Sequence, residues 1–111
     1  MLMASSEDIL EIVGCEHYMA WSNLPDVMVS KKNGEPYGLV SIANMEGVVM
    51  INSISKGDGK FNFEMIKVIA KVIQKNPIVY LMSTCKESRV LNRLMDTYHE
   101  DGINSFFTKG I

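Results

Sequence analysis

The stretch from Val48 to Ile73 constrains this chain more than any other. It runs VVMINSIS, then KGDGK, then FNFEMIKVIAKVI. The first piece is β-branched, apolar and too short for a helix, which predicts a strand. Glycines break the middle piece. In the last piece Met65, Ile66, Val68, Ile69, Val72 and Ile73 recur on one face of a 3.6-residue repeat, and Lys67, Lys71 and Lys75 fall opposite. Strand, glycine loop and helix in succession form a natural anion site, because free N–H groups and the helix dipole point at the loop. The same pattern also makes a plain tight turn into a core helix, and both readings stand on these residues.

Length and charge narrow the rest. A chain of 111 residues suits one domain, 1–111, with one sheet and a few helices. Its net charge of −2 argues against a polyanion binder. The lysine stripe lacks interleaved aromatics, so a solvated face is expected there and nucleic acid is not an expected partner. No apolar run reaches membrane-span length, and a membrane is not expected as a partner. The start, MLMASSEDILEIV, is acidic at once, unlike a signal peptide. Cys15 and Cys85 have neither metal-site nor disulfide-framework spacing, so the expected setting is intracellular, reducing and cytoplasmic. The two histidines and the scattered acids make no metal cluster, and no metal is expected. Nucleophile-elbow, Walker and H-E-x-x-H motifs are absent from the sequence. The nine methionines are expected as core filler.

The remaining segments give an element order. Met1 to Met3 is a short apolar start. Ser5 and Asp8 fit a capping box for a helix whose buried stripe is Ile9, Leu10, Ile12 and Val13, ending at Gly14. A second helical piece follows from Cys15 to about Asn23, stopped by Leu24-Pro25. Val27 to Ser30, Tyr37 to Ala43 and Val48 to Ser55 form an antiparallel meander, with Asn33-Gly34 as a hairpin turn. After the helix ending near Asn76-Pro77, Ile78 to Met82 suits a central strand covered on both faces. Thr84 and Glu87 suggest a capping box for a helix burying Val90, Leu91, Leu94, Met95 and Tyr98 and closed by Gly102. Ile103 to Thr108 ends the chain as a strand. This half predicts parallel neighbours joined by right-handed crossovers. The expected fold is α/β: a mixed sheet, with an antiparallel meander followed by a parallel β-α-β-α-β unit, and helices on both faces.

In this order the chain resembles the GNAT superfamily of N-acetyltransferases. SSEDILEIV looks like the family's first helix, and VMVSKKNGEPYGLVSIA is similar to its hairpin. VVMINSIS stands where the family's central strand leads to the coenzyme's pyrophosphate loop. NRLMDTYHEDGI resembles the last-helix signature, a tyrosine followed four residues later by glycine and an apolar residue. The resemblance spans almost the whole chain and rests on the order of weak motifs.

The resemblance implies an N-acyltransferase that uses acetyl-CoA, with the pantetheine arm against the strand that includes Asn52, Ser53, Ile54 and Ser55. The pyrophosphate would rest on Lys56, Gly57, Asp58, Gly59, Lys60 and Phe61. Ile54 stands where the family carries Gln or Arg, and Lys56 and Lys60 are the cations at hand. Tyr98 would protonate the leaving thiolate, or else is an amphipathic core residue. Glu46, in the turn before the central strand, is the candidate base. His17 is a lesser candidate, Asn92 a candidate coenzyme contact, and Cys85 a small buried residue. The acceptor would be an amine-bearing small molecule or protein, held by segments 14–26 and 100–105. A second class stays open: a GNAT-like domain without catalysis, acting as a binding or structural subunit. Compact members of this kind resemble ones encoded by tailed bacteriophages, some beside virion genes, so a virion or host protein is an alternative partner. Phe106-Phe107 in a terminal strand adds self-association as a homo-oligomer.

Overall fold

Ser5 starts the first helix through a complete capping box: its hydroxyl accepts from the Asp8 amide, and the Asp8 carboxylate accepts from the Ser5 amide. The computed structural model describes residues 1–57 and 59–111. Helix α1 (Ser6–Ser22) is two helical segments joined at Gly14, whose φ of 77° and ψ of 173° break the ladder where glycine alone is comfortable. Strand β1 (Leu2–Met3) precedes it. Strands β2 (Met28–Lys32), β3 (Glu35–Met45) and β4 (Val48–Ser55) form the expected meander. Asn33 and Gly34 both take positive φ in the first turn, as a tight hairpin of this hand requires.

Helix α2 (Phe63–Lys75) is capped by Asn62 and buries Met65, Ile69 and Ile73. Fully burying each of these side chains contributes about 1.5–3 kcal/mol. Strand β5 (Val79–Ser83) then pairs parallel with β4, as expected.

The last quarter departs from expectation. Helix α3 (Arg89–Leu94) has six residues and is capped by Ser88, not Thr84. Met95 is already extended. Thr97–Asp101 forms strand β6, and Asn104–Lys109 forms strand β7. Gly102 is therefore a hairpin residue at positive φ and does not cap a helix. The pattern Asp101-Gly102 serves either purpose, and pairing decides it: Thr97 to Asp101 are β-branched, aromatic or charged residues that find register partners in Thr108 to Asn104. Asp96 fixes the entry, its amide donating to the Thr108 carbonyl at 2.7 Å and its carboxylate accepting from the Gly110 amide at 2.7 Å.

The sheet order is β1-β2-β3-β4-β5-β7-β6, and among the described residues β4/β5 is the one parallel pair. The expected parallel β-α-β-α-β unit is corrected accordingly, since β7 returns antiparallel to β5 with β6 outside it. The broader expectation holds: an α/β fold with a mixed sheet. Helices α2 and α3 cover one face over Val49, Ile51, Leu81 and Phe107. Helix α1 covers the other only over β2, β3 and part of β4, where Ile9, Val27, Val29 and Leu39 meet. Strand β5 is thus not covered on both faces: Val79 and Leu81 are buried, while Met82 is 38% exposed.

Among the described residues no helix is long and apolar enough to cross a membrane.

Candidate functional site

The parallel pairing of β4 and β5 ends at Ser53 and Ser83, while β4 continues to Ser55. Beyond that rung the chains part. Strand β5 turns away through a local bond, the Cys85 amide donating to the Ser83 hydroxyl at 2.9 Å. The Thr84 amide still donates to the Ser53 carbonyl at 3.2 Å. The Ser55 amide, pointing toward β5, donates to the Thr84 hydroxyl at a long 3.4 Å, and among the described residues no backbone carbonyl of β5 pairs with it. A strand end whose amide has lost its backbone partner is a place where an extended ligand can continue the ladder.

A cleft of about 260 Å3 opens on the α1 side of this parting. Trp21 and Leu24 wall it from α1 and the turn after it, Asn52 and Ile54 from β4, Met82 from β5 and Asn104 from β7. Among the described residues, the ten that line it are uncharged. A second recess of about 350 Å3 lies beyond, where Ile54, Ser55 and Thr84 face Gly57, Gly59 and Lys86. Ile54 and Thr84 belong to both, so the two recesses are neighbours through a shared wall. Gly57 and Gly59 take φ of 87° and 68°, which other residues adopt at a cost. Bonds from outside hold the described part of the loop: the Lys86 amide donates to the Gly59 carbonyl at 2.8 Å, and the Tyr37 hydroxyl to the Lys60 carbonyl at 2.6 Å. The Lys86 ammonium reaches the Gly102 carbonyl at 3.1 Å and Glu100 at 3.6 Å.

The expected site residues divide. Asn52, Ser53 and Ile54 line the cleft, and Ile54, Ser55, Gly57 and Gly59 line the recess. Lys56 is turned to Glu11, at 3.2 Å. Lys60 is exposed, with its carbonyl engaged by Tyr37. The Phe61 ring packs edge-on to Phe107 in the core. Asp58 lies outside the described residues. Segments 14–26 and 100–105 contribute Ala20, Trp21, Leu24 and Asn104 to the cleft.

Three expectations are corrected by position. Glu46 sits in the turn at the opposite end of β4. Seven strand steps separate Val48 from Ser55, roughly 23 Å at 3.3 Å each, beyond the reach of a carboxylate. Tyr98 lies on β6 and not in a last helix. Its ring still enters the same core, 4.8 Å from Phe107, because β6 turns alternate residues inward. His17 is exposed on α1 and does not line the cleft. Cys85 is buried, as expected of a small core residue.

A buried polar row that the sequence did not reveal crosses the sheet. Ser53, Ser83 and Ser105 stand in register across three strands and all are buried. The hydroxyls of Ser53, Ser55, Ser105 and Tyr98 and the Asn92 Oδ1 are buried without a hydrogen-bond partner of good geometry. Burial raises the Tyr98 phenol above the usual tyrosine value; Ser105 opposes this and Glu100 adds to it. Such groups call for water or a ligand, since leaving them dry costs about 1–3 kcal/mol each. Lys86 was also missed, because its place beside Gly59 depends on the loop after β5 folding back. Among the described residues no three His, Cys, Asp or Glu side chains gather as a metal site. A scan against protein-family models and searches of curated proteins and of solved structures find no match to this chain.

Proposed function

We propose that this protein is a small GNAT-like N-acyltransferase that moves an acetyl group from acetyl-CoA to an amine. One observation carries the reading: β4 and β5 part after Ser53 and Ser83, with a neutral cleft on one side of Ile54 and Thr84 and a glycine-containing recess on the other. The residues present fit the coenzyme. The Ser55 amide, held by a long bond to the Thr84 hydroxyl, suits the amide groups of a pantetheine arm. Gly57, Gly59 and Lys86 suit its pyrophosphate, through backbone approach and one positive charge. The coenzyme supplies the activated thioester. The chain's own part is to align that arm along β4 and to present the acceptor through the cleft under Trp21, which is catalysis by proximity. The amine nitrogen attacks the thioester carbonyl, the C–N bond forms and the C–S bond breaks. The amine proton passes to water, and the thiolate takes one from water. Tyr98 and Glu46 take no part in this transfer.

A second reading is a binding domain of the same shape without turnover, docking on a partner protein such as a virion component. The cleft lining favours it, since among the described residues none of those that line it is ionisable. Incubation with acetyl-CoA and a primary-amine panel, followed by mass spectrometry, separates the two. An acetylated amine in excess of the uncatalysed background supports transfer. Coenzyme binding without any product supports the second reading.

A further inference from the structure

The cleft opens beside a sheet face that α1 leaves uncovered. Tyr80 and Phe106 have ring centroids 6.3 Å apart, and His99 stacks on Phe106 at 6.3 Å. Met82, which lines the cleft, pairs in register with Phe106 and shares this face. The result is a continuous platform of thioether and aromatic surface leading to the point where β4 and β5 part. Among the described residues no charged side chain lines the cleft. Asp101, opposite Asn104 in register, lies on the outer strand.

A neutral, partly apolar cleft treats amines selectively. It disfavours the ammonium form and so lowers the pKa of an amine that enters, which delivers the free base needed for attack. One such desolvation is repaid by packing a flat apolar body on Met82 and Phe106. An acceptor with several positive charges would bury them without partners, at a cost for each. We infer that the acceptor is a small monoamine carried on an aromatic or flat apolar body, and not a polycation. This rests on the acyltransferase reading for the reaction, but the binding site for the amine stands on its own surface.

The test uses phenethylamine and spermidine as probes on the full chain. The single tryptophan, Trp21, lines the cleft and reports occupancy by fluorescence, and the methyl group of Met82 reports it by NMR. Without coenzyme, phenethylamine is expected to shift the Met82 methyl and change Trp21 emission saturably, and spermidine to do neither. Met82→Lys, at an exposed position, is expected to weaken phenethylamine at least about tenfold by placing a charge in the lining. Spermidine binding more tightly, or Met82 unmoved by millimolar phenethylamine, overturns the inference. A Met82→Lys chain that binds phenethylamine as before overturns it too. Acetyl-CoA titrated separately keeps the two claims apart. Amine binding without coenzyme binding removes the acyltransferase reading and leaves the amine site. Acetylated spermidine without acetylated phenethylamine does the reverse.

Discussion

The side-chain amide of Asn62 joins α2 to the strand meander: its Oδ1 accepts from the Met65 amide at 2.9 Å, and its Nδ2 donates to the buried Ser30 hydroxyl at 3.1 Å. Ser30 in turn donates to the Gly38 carbonyl at 3.4 Å. One residue thus caps the helix that follows the glycine loop and satisfies a polar group in the sheet. Asn62→Ala removes both bonds and is expected to cost about 2–3 kcal/mol of stability, a cap plus a buried hydrogen bond. Asn62→Asp keeps the cap and loses the donor to Ser30, so it should fall between Asn62→Ala and the wild type. Urea unfolding of the three proteins checks this order.

Gly38 is fixed by close approach, not by backbone conformation. A Cβ there would overlap the Met65 Sδ and stand 2.8 Å from its Cε, with the Ile54 carbonyl at 3.2 Å. Met65 is fully buried, so its side chain has little room to give. Gly38→Ala is expected to cost about 1–3 kcal/mol. In a Met65→Ala background the same change should cost under about 0.5 kcal/mol, a coupling that a double-mutant cycle by denaturant unfolding measures directly.

The burial of the Tyr98 phenol links its titration to stability. Its phenol is raised by burial, so the native state keeps that proton to higher pH than the unfolded chain does. The resulting stability is fully present below about pH 10 and is lost as pH rises through the native pKa. Tyr98→Phe should therefore flatten the fall in stability above about pH 10, and leave acetyl transfer within about threefold of the wild type at pH 8. Unfolding midpoints of the two proteins at pH 8 and 11 test the first part. Parallel pH curves would contradict it.

Lys86 is expected to support the coenzyme's pyrophosphate beside Gly57 and Gly59. Lys86→Ala should weaken acetyl-CoA by about three- to tenfold at low ionic strength, and by less at 0.5 M salt, where screening is short-ranged. Its bridge to Glu100 is solvent-exposed, so the same variant should lose under about 1 kcal/mol of stability. Calorimetry at two salt concentrations reads the affinity.

Much of the architecture is legible in the residues. Local chemistry specified Gly14, Asn33-Gly34, the Ser5–Asp8 box and the α2 stripe, and each element formed where its own side chains dictate. The region after Ser83 is different, because its signals are ambiguous one by one. Leu91, Leu94 and Met95 suit a helix, Thr97 and Tyr98 suit a strand, and Gly102 suits the end of either. The bonds from Asp96 to Thr108 and Gly110, remote in sequence, settle the choice. The site is legible to the same degree. Ser53, Ile54, Ser55, Gly57 and Gly59 follow from one stretch of sequence, whereas Trp21, Met82 and Asn104 reach the cleft, and Lys86 the recess, through sheet order and loop packing. The tyrosine–glycine spacing suggests a last helix where the chain forms a hairpin, because a spacing of four residues fits a helix turn and a hairpin arm equally.

Calorimetric titration of the protein with acetyl-CoA tests the central claim most directly. The claim predicts saturable binding in the micromolar range, about −8 kcal/mol, weakened in Lys86→Ala and accompanied by a change in Trp21 emission. Absence of binding up to about millimolar coenzyme, in a protein shown to be folded, would contradict it.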